Sequence, residues 1–386
     1  MELQTQENAV SLSATKGIDV GKIEKELAAM WKPADSSKEG SPSSGVTRAC
    51  ALNLLVYSSV TDDRTEMEEI LDAVCEDHPS RTLWLMADRE TADAKLDAYV
   101  STRCRMLGGG RRQICGEQVT IEASGGALEN VGSAISPLLV PDVPVFLWWK
   151  DIPHYEDDLF NRMTAMSDRI VIDSAFFDHP FDDMRRLAQL IRERKLLMSV
   201  SDLNWGRLTA WRTLMASFWD VPDYLPHLEK IDSIVVEYDP PDIALEEIAP
   251  KALLVVGWLA SRLGWSIESK VESEEKEGAS FRLRANGRNL NVSLRPAEGE
   301  WQIDGMLVSL KMSSTATGAE FRVAFSEDRK RLETEASVGG AHTVGRVLSY
   351  EQKTEGQRLS RELTLLQRDV IYEEALVFAV QLIEKI

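Results

Sequence analysis

The residues best placed for chemistry lie just beyond short apolar runs. They are Ser58-Ser59, Asp88-Arg89, Trp149-Lys150-Asp151, Asp173-Ser174 and Ser201-Asp202. In open α/β sheets, ligands gather outside the carboxyl ends of the strands. A set of hydroxyls, carboxylates and cations there could bind a sugar phosphate or a nucleotide. Asp173 and Asp202 could serve as an acid/base pair if the fold held them at catalytic separation. The same residue types after a strand also cap the following helix, so both readings stay open.

Other chemistries find less support. The cysteines Cys50, Cys75, Cys104 and Cys115 form no C-x-x-C pair. They read as reduced, buried small hydrophobes, with a redox pairing or a metal site as alternatives. Cys75 and His78 have close spacing but no second pair to close a zinc site. The histidines His78, His154, His179, His227 and His342 read as loop or strand-end residues, and none has i, i+4 helical spacing to another. Gly108-Gly109-Gly110 precedes Arg111, Arg112 and a strand pattern, which reads as a hairpin turn rather than a dinucleotide loop. A P-loop lysine motif and a Gly-x-Ser-x-Gly elbow are both missing. No catalytic residue, metal ligand or cofactor is assigned.

Residues 202–212 (DLNWGRLTAWR) concentrate Trp and Arg, the residue types that dominate protein–protein hot spots. Asp202 is expected to cap a helix on which Leu208, Trp211, Met215 and Phe218 form one stripe, so Trp211 turns inward. Asp202, Asn204, Trp205, Arg207 and Arg212 remain candidates for a partner surface, with a buried polar network as the competing reading. Trp148 and Trp149 join these candidates. They are adjacent on a strand, so they point to opposite faces and only one enters a given core layer easily.

The surrounding chain sets the limits. Its 386 residues, 44% of them hydrophobic, suffice for two domains with real cores. A formal charge of −19 repels nucleic acid and anionic lipid. The first thirty residues lack a secretory apolar core, and no run approaches the ~20 residues a membrane span needs. The expectation is a soluble, cytoplasmic protein with no nucleic-acid or membrane partner.

Periodicity divides the chain into three parts. Residues 1–45 hold a short amphipathic helix, Ile18–Trp31, and a Ser/Pro-rich linker. That helix could dock on its own body or on a partner. Residues 46–225 alternate strand and helix, with an antiparallel hairpin from Leu96 to Ala123. They predict an α/β N-terminal domain with a mixed, mainly parallel sheet. Residues 226–386 predict an α+β domain with an antiparallel sheet covered by helices at Leu245–Leu263 and Ser360–Lys385. Asn286-Gly287 is its clearest hairpin signal.

Several stretches resemble the glucose-6-phosphate dehydrogenase assembly protein (OpcA) family. They are Arg48–Leu54 (RACALNL), His78–Arg81 (HPSR), Cys115–Val119 (CGEQV), Pro137–Trp149 (PLLVPDVPVFLWW), Asp168–Ser174 (DRIVIDS) and 202–212, in register across the α/β domain. Arg368–Leu376 (RDVIYEEAL) continues the likeness more loosely. The resemblance implies a non-catalytic factor that binds glucose-6-phosphate dehydrogenase, promotes its assembly or activity allosterically, and so supports the oxidative pentose phosphate pathway and NADPH supply. The alternative from the residues is an α/β enzyme or sensor for a sugar phosphate or nucleotide at the strand ends.

Overall fold

The computed structural model describes residues 6–8, 19–31, 45–106, 112–154, 156–193, 198–242, 248–271, 278–299, 301, 305–365 and 367–386. Packing divides the chain into two compact units. The first comprises Met1–Ile172, Arg194–Ser201 and Lys353–Arg368, and the second Asp173–Glu193, Asp202–Gln352 and Asp369–Ile386. The units therefore interleave along the sequence, where periodicity suggests a single cut near residue 225.

The first unit is built from β1 (Gln6–Asn8), α1 (Val20–Met30), β2 (Gly45–Arg48), β3 (Leu52–Ser59), α2 (Arg64–Asp77), β4 (Ser80–Asp88), β5 (Lys95–Met106), β6 (Arg112–Ser124), α3 (Leu128–Ile135), β7 (Val145–Trp149), α4 (Asp158–Ala165) and β8 (Arg169–Ile172). After α5 (Pro180–Arg192), β9 (Ser199–Asp202) completes its nine-stranded sheet. The order is β1-β5-β6-β4-β3-β7-β8-β9, with β2 beside β6. Strands β3, β4, β6, β7 and β8 pair in parallel, and β5 folds back antiparallel on β6. The mainly parallel sheet and its hairpin match the sequence reading. The continuous apolar run of β3 is buried at seven successive positions, as expected of a strand covered on both faces.

Helix α1 docks on its own unit. Ile23 and Leu27 are buried, Glu24 pairs with Arg81 at 2.7 Å, and Trp31 Nε1 donates to Glu117 at 2.6 Å. Cys104 and Cys115 stand directly opposite each other in β5 and β6 and are joined in a disulfide. For these two the reduced-thiol expectation is corrected, because strand register brings their Cα atoms to 4.0 Å. Cys75 is free and buried, and burial pushes its thiol up to about 11.

The second unit continues with α6 (Leu203–Arg207), α7 (Thr209–Ser217), α8 (Leu225–Leu228), β10 (Ser233–Tyr238), α9 (Pro250–Leu263), β11 (Ser266–Val271), β12 (Ala279–Ala285), β13 (Arg288–Pro296), β14 (Leu307–Ser314), β15 (Ala319–Phe325), β16 (Arg331–Val338) and β17 (Ala341–Ser349). After α10 (Glu355–Glu362), which belongs to the first unit, it closes with α11 (Val370–Ile383). The sheet order is β11-β12-β13-β10-β14-β15-β16-β17. All pairs are antiparallel except β10 with β13. That parallel pair arises because β10 enters between β13 and β14 rather than beside its chain neighbour. Asn286 and Gly287 take positive φ of 48° and 80° at the β12–β13 turn, as an Asn-Gly hairpin requires.

The strands of this sheet alternate buried and exposed side chains, so one face makes the core. Helices α9 and α11 pack together, α11 also meets α5, and α7 lies on β15. A Cβ at Gly257 would sit 2.1 Å from the Ala375 carbonyl oxygen, so glycine is what lets α9 and α11 approach so closely. The expected final helix is two helices, α10 and α11. Helix α9 begins at Pro250, and the expected start at Leu245 lies outside the described residues.

Candidate functional site

Asp202 caps α6 and anchors a polar cluster inside the second unit. Its Oδ1 accepts from the backbone N–H groups of Ser174 (3.0 Å) and Asn204 (2.9 Å). Its Oδ2 accepts from Ser174 Oγ (2.7 Å) and the Tyr372 hydroxyl (3.1 Å). Asn204 Nδ2 donates onward to Ser174 Oγ at 3.0 Å. Asp202, Asn204, Ser174 and Tyr372 are all buried. Burial and then the Asp173 charge push the Asp202 carboxyl up, while hydrogen bonds from Ser174 and Asn204 pull it back. Burial first, then Asp202, hold the Tyr372 phenol well above its ordinary value.

Asp173 is engaged by Arg207, whose two guanidinium nitrogens reach its two oxygens at 2.6 and 2.7 Å. This fork geometry is the strong form of a carboxylate pair. With Asp173 paired and Asp202 fully hydrogen-bonded, the acid/base reading of these two residues loses its basis.

The 202–212 segment turns inward. Trp205 is 3% exposed, its Nε1 donates to Asp369 at 3.0 Å, and the Arg212 guanidinium lies 3.5 Å over its ring. Trp211 is buried as the helical stripe predicts, edge-on to Phe325 at 5.5 Å. Arg207 keeps only 10% of its side chain exposed. Asp202, Asn204 and Trp205 thus hold the unit together, and Arg207 and Arg212 are the candidates in this segment that reach the surface in part.

Trp148 and Trp149, in the first unit, are both buried. Being adjacent on a strand they enter separate core layers, and their candidacy for a partner surface is corrected, since neither reaches solvent. Strand β7 lies between β3 and β8, and both its faces are covered. Trp149 stacks on Tyr57 at 3.8 Å and meets Phe160 edge-on at 5.0 Å.

The remaining strand-end residues of the first unit are also engaged locally. Ser58 Oγ accepts from Trp84 Nε1 at 2.9 Å, Asp88 caps the turn at Glu90 and Thr91, and Asp151 accepts from Ile152 N–H. Arg89 donates to Tyr57 and pairs with Asp157 at 2.5 Å, and Lys150 faces Asp62 at 3.8 Å. His78 Nε2 lies 2.7 Å from the Ser360 carbonyl oxygen, a contact across the unit rather than toward Cys75. Among the described residues, no group of three or more His, Cys, Asp or Glu side chains could hold a metal ion.

Tyr372 and Asp369 are the cluster members that local pattern misses, because each lies more than 160 residues from its partner. The signal was present in the Arg368–Leu376 stretch, which contains both.

The two sheets and their helices define an α/β protein whose strand-end polar residues are spent on internal contacts. Residues 71–189 match the family described as glucose-6-phosphate dehydrogenase subunit N-terminal domain, and residues 198–376 the corresponding C-terminal domain. The chain belongs to this OpcA family. A putative OxPP cycle protein OpcA of Synechocystis is 30% identical over 322 residues, covering 82% of this chain and 66% of the relative. That of Nostoc punctiforme is 30% identical over 68% of this chain and 56% of its own length. That of Synechococcus elongatus is 29% identical over 89% and 77%. The chain thus spans less than two thirds of the first two relatives. Among solved structures, an NAD binding oxidoreductase from Klebsiella pneumoniae aligns with TM-score 0.48 and 9% identity, over 88% of this chain and 96% of that one. An aldose-aldose oxidoreductase from Caulobacter crescentus aligns with TM-score 0.46 and 9% identity, over 87% and 96%. Likeness at that level says nothing about activity. No helix among the described residues is long and apolar enough to cross a membrane.

Proposed function

We propose that this protein is a non-catalytic factor that binds glucose-6-phosphate dehydrogenase and favours its assembled, active state, in support of the oxidative pentose phosphate pathway. The observation that carries this reading is the family match across both parts of the chain, 71–189 and 198–376. The internal use of Asp173 and Asp202 supports a role without chemistry of its own. Activation needs only that one state of the dehydrogenase be bound better than another. A tenfold gain in substrate affinity corresponds to about 1.4 kcal/mol of coupling. The buried residues of the 202–212 segment would serve this role by holding the unit rigid, and its part-exposed arginines, Arg207 and Arg212, are its candidates for direct contact.

The test mixes the purified protein with its cognate dehydrogenase. Native mass and substrate saturation are then measured. A heavier complex with lowered KM or raised kcat is expected. If mass, KM and kcat all stay unchanged at micromolar protein, the reading fails. A thermal shift of the isolated chain with a sugar phosphate or NADP would favour the ligand-binding alternative instead.

A further inference from the structure

The aromatic surface that does face solvent lies a few residues further along, between α7 and β10. Residues Phe218 to Lys230 wind through successive tight turns, closed by Val221 N–H to Phe218 O, Tyr224 N–H to Val221 O and His227 N–H to Tyr224 O. Phe321, on β15, is wholly buried beneath them. Four rings surround it: Trp219 at 4.8 Å, Phe218 at 5.3 Å, Tyr224 at 5.4 Å and His227 at 6.4 Å. His227 Nδ1 is further fixed to Thr317 Oγ1 at 3.0 Å. Trp219, Tyr224 and His227 are half-buried, while Val221 is 39% and Leu225 51% exposed. The result is a shallow apolar patch with its rings already immobilised. Rigid aromatic anchors of this kind lose little entropy on binding.

The rim carries charge of one dominant sign. Within the segment, Asp220, Asp223 and Glu229 are exposed, against one exposed cation, Lys230. Two copies of such a rim would repel each other, and the chain as a whole carries −19. An anionic lipid surface is disfavoured for the same reason. The complementary occupant is a folded protein surface on which Lys or Arg side chains surround an apolar projection.

We infer that the 218–229 patch is the docking site for such a basic-rimmed partner, which, on the reading above, is the dehydrogenase. Leu225 would be the central apolar contact, and Asp220 and Asp223 would steer the encounter. Binding of the cognate dehydrogenase is measured by surface immobilisation at several salt concentrations. The full chain, Leu225→Glu and the double variant Asp220→Lys/Asp223→Lys are compared, with melting curves for each.

Leu225→Glu is expected to weaken Kd at least tenfold with an unchanged melting temperature, since a charge enters a desolvating contact. The double reversal is expected to slow association and to flatten its dependence on salt. If Leu225→Glu melts early, Leu225→Ser replaces it with the same expected direction. Wild-type affinity and salt dependence in all variants would overturn the docking site while leaving the proposed function intact. No binding by the wild-type chain would overturn both.

Discussion

Two neighbouring aromatic segments of the second unit behave in opposite ways. Residues 202–212 hold two tryptophans and two arginines, yet Asp173 takes the Arg207 guanidinium, Asp369 the Trp205 ring N–H, Tyr372 the Asp202 carboxylate, and Phe325 meets the Trp211 ring. Residues 218–229 look plainer in sequence, yet they leave Val221 and Leu225 in solvent over a fixed aromatic floor. Composition marks only the first as a candidate for recognition. What separates them is whether the rest of the chain already supplies their partners. A Trp or Arg with an internal partner is a structural element, and a modest Leu above an immobilised ring cluster is an available contact.

The largest effect is expected at Asp202. Asp202→Ala leaves buried donors from Ser174, Asn204 and Tyr372 without an acceptor, and is expected to cost about 3–5 kcal/mol in chemical unfolding. A loss under 1 kcal/mol would mean the cluster is not the support described. Arg207→Ala strands the Asp173 carboxylate, which keeps only 8% of its side chain exposed; about 3 kcal/mol is expected, read from the same unfolding curves.

Tyr372→Phe removes one hydrogen bond and should cost about 1 kcal/mol at neutral pH. Its sharper signature is alkaline. The folded state raises the phenol above its ordinary value of 10.0, so the neutral form is favoured by folding. That contribution is complete below pH 10.0 and is lost as pH rises toward the folded value. Wild-type stability should therefore fall toward that of Tyr372→Phe above this pH, and parallel curves would contradict it. The smallest effect belongs to the second segment. Leu225→Ser should change unfolding free energy by no more than about 0.5 kcal/mol, because the side chain is already half in water. A large loss there would erase the contrast between the two segments.

Much of the fold was legible locally. The buried run of β3, the β5–β6 hairpin and the Asn286-Gly287 turn all follow from periodicity and turn chemistry within a few residues. The candidate site was legible only in part. Asp202 as a helix cap and Trp211 as core were readable, since both depend on neighbours along one helix. The burial of Trp148 with Trp149 was not, because it depends on both faces of the sheet being covered at β7.

Residue type and spacing therefore established the alternation of strands and helices, the family resemblance and the short list of polar residues at strand ends. Those properties act over a turn or a strand length, where covalent connectivity restricts the geometry. Whether a listed residue faces water or another part of the chain was settled by contacts of long sequence separation. Tyr372 and Asp369 reach back to Asp202 and Trp205, and Phe321 rises beneath Trp219. Burial is a property of the assembled core, and no single segment carries it.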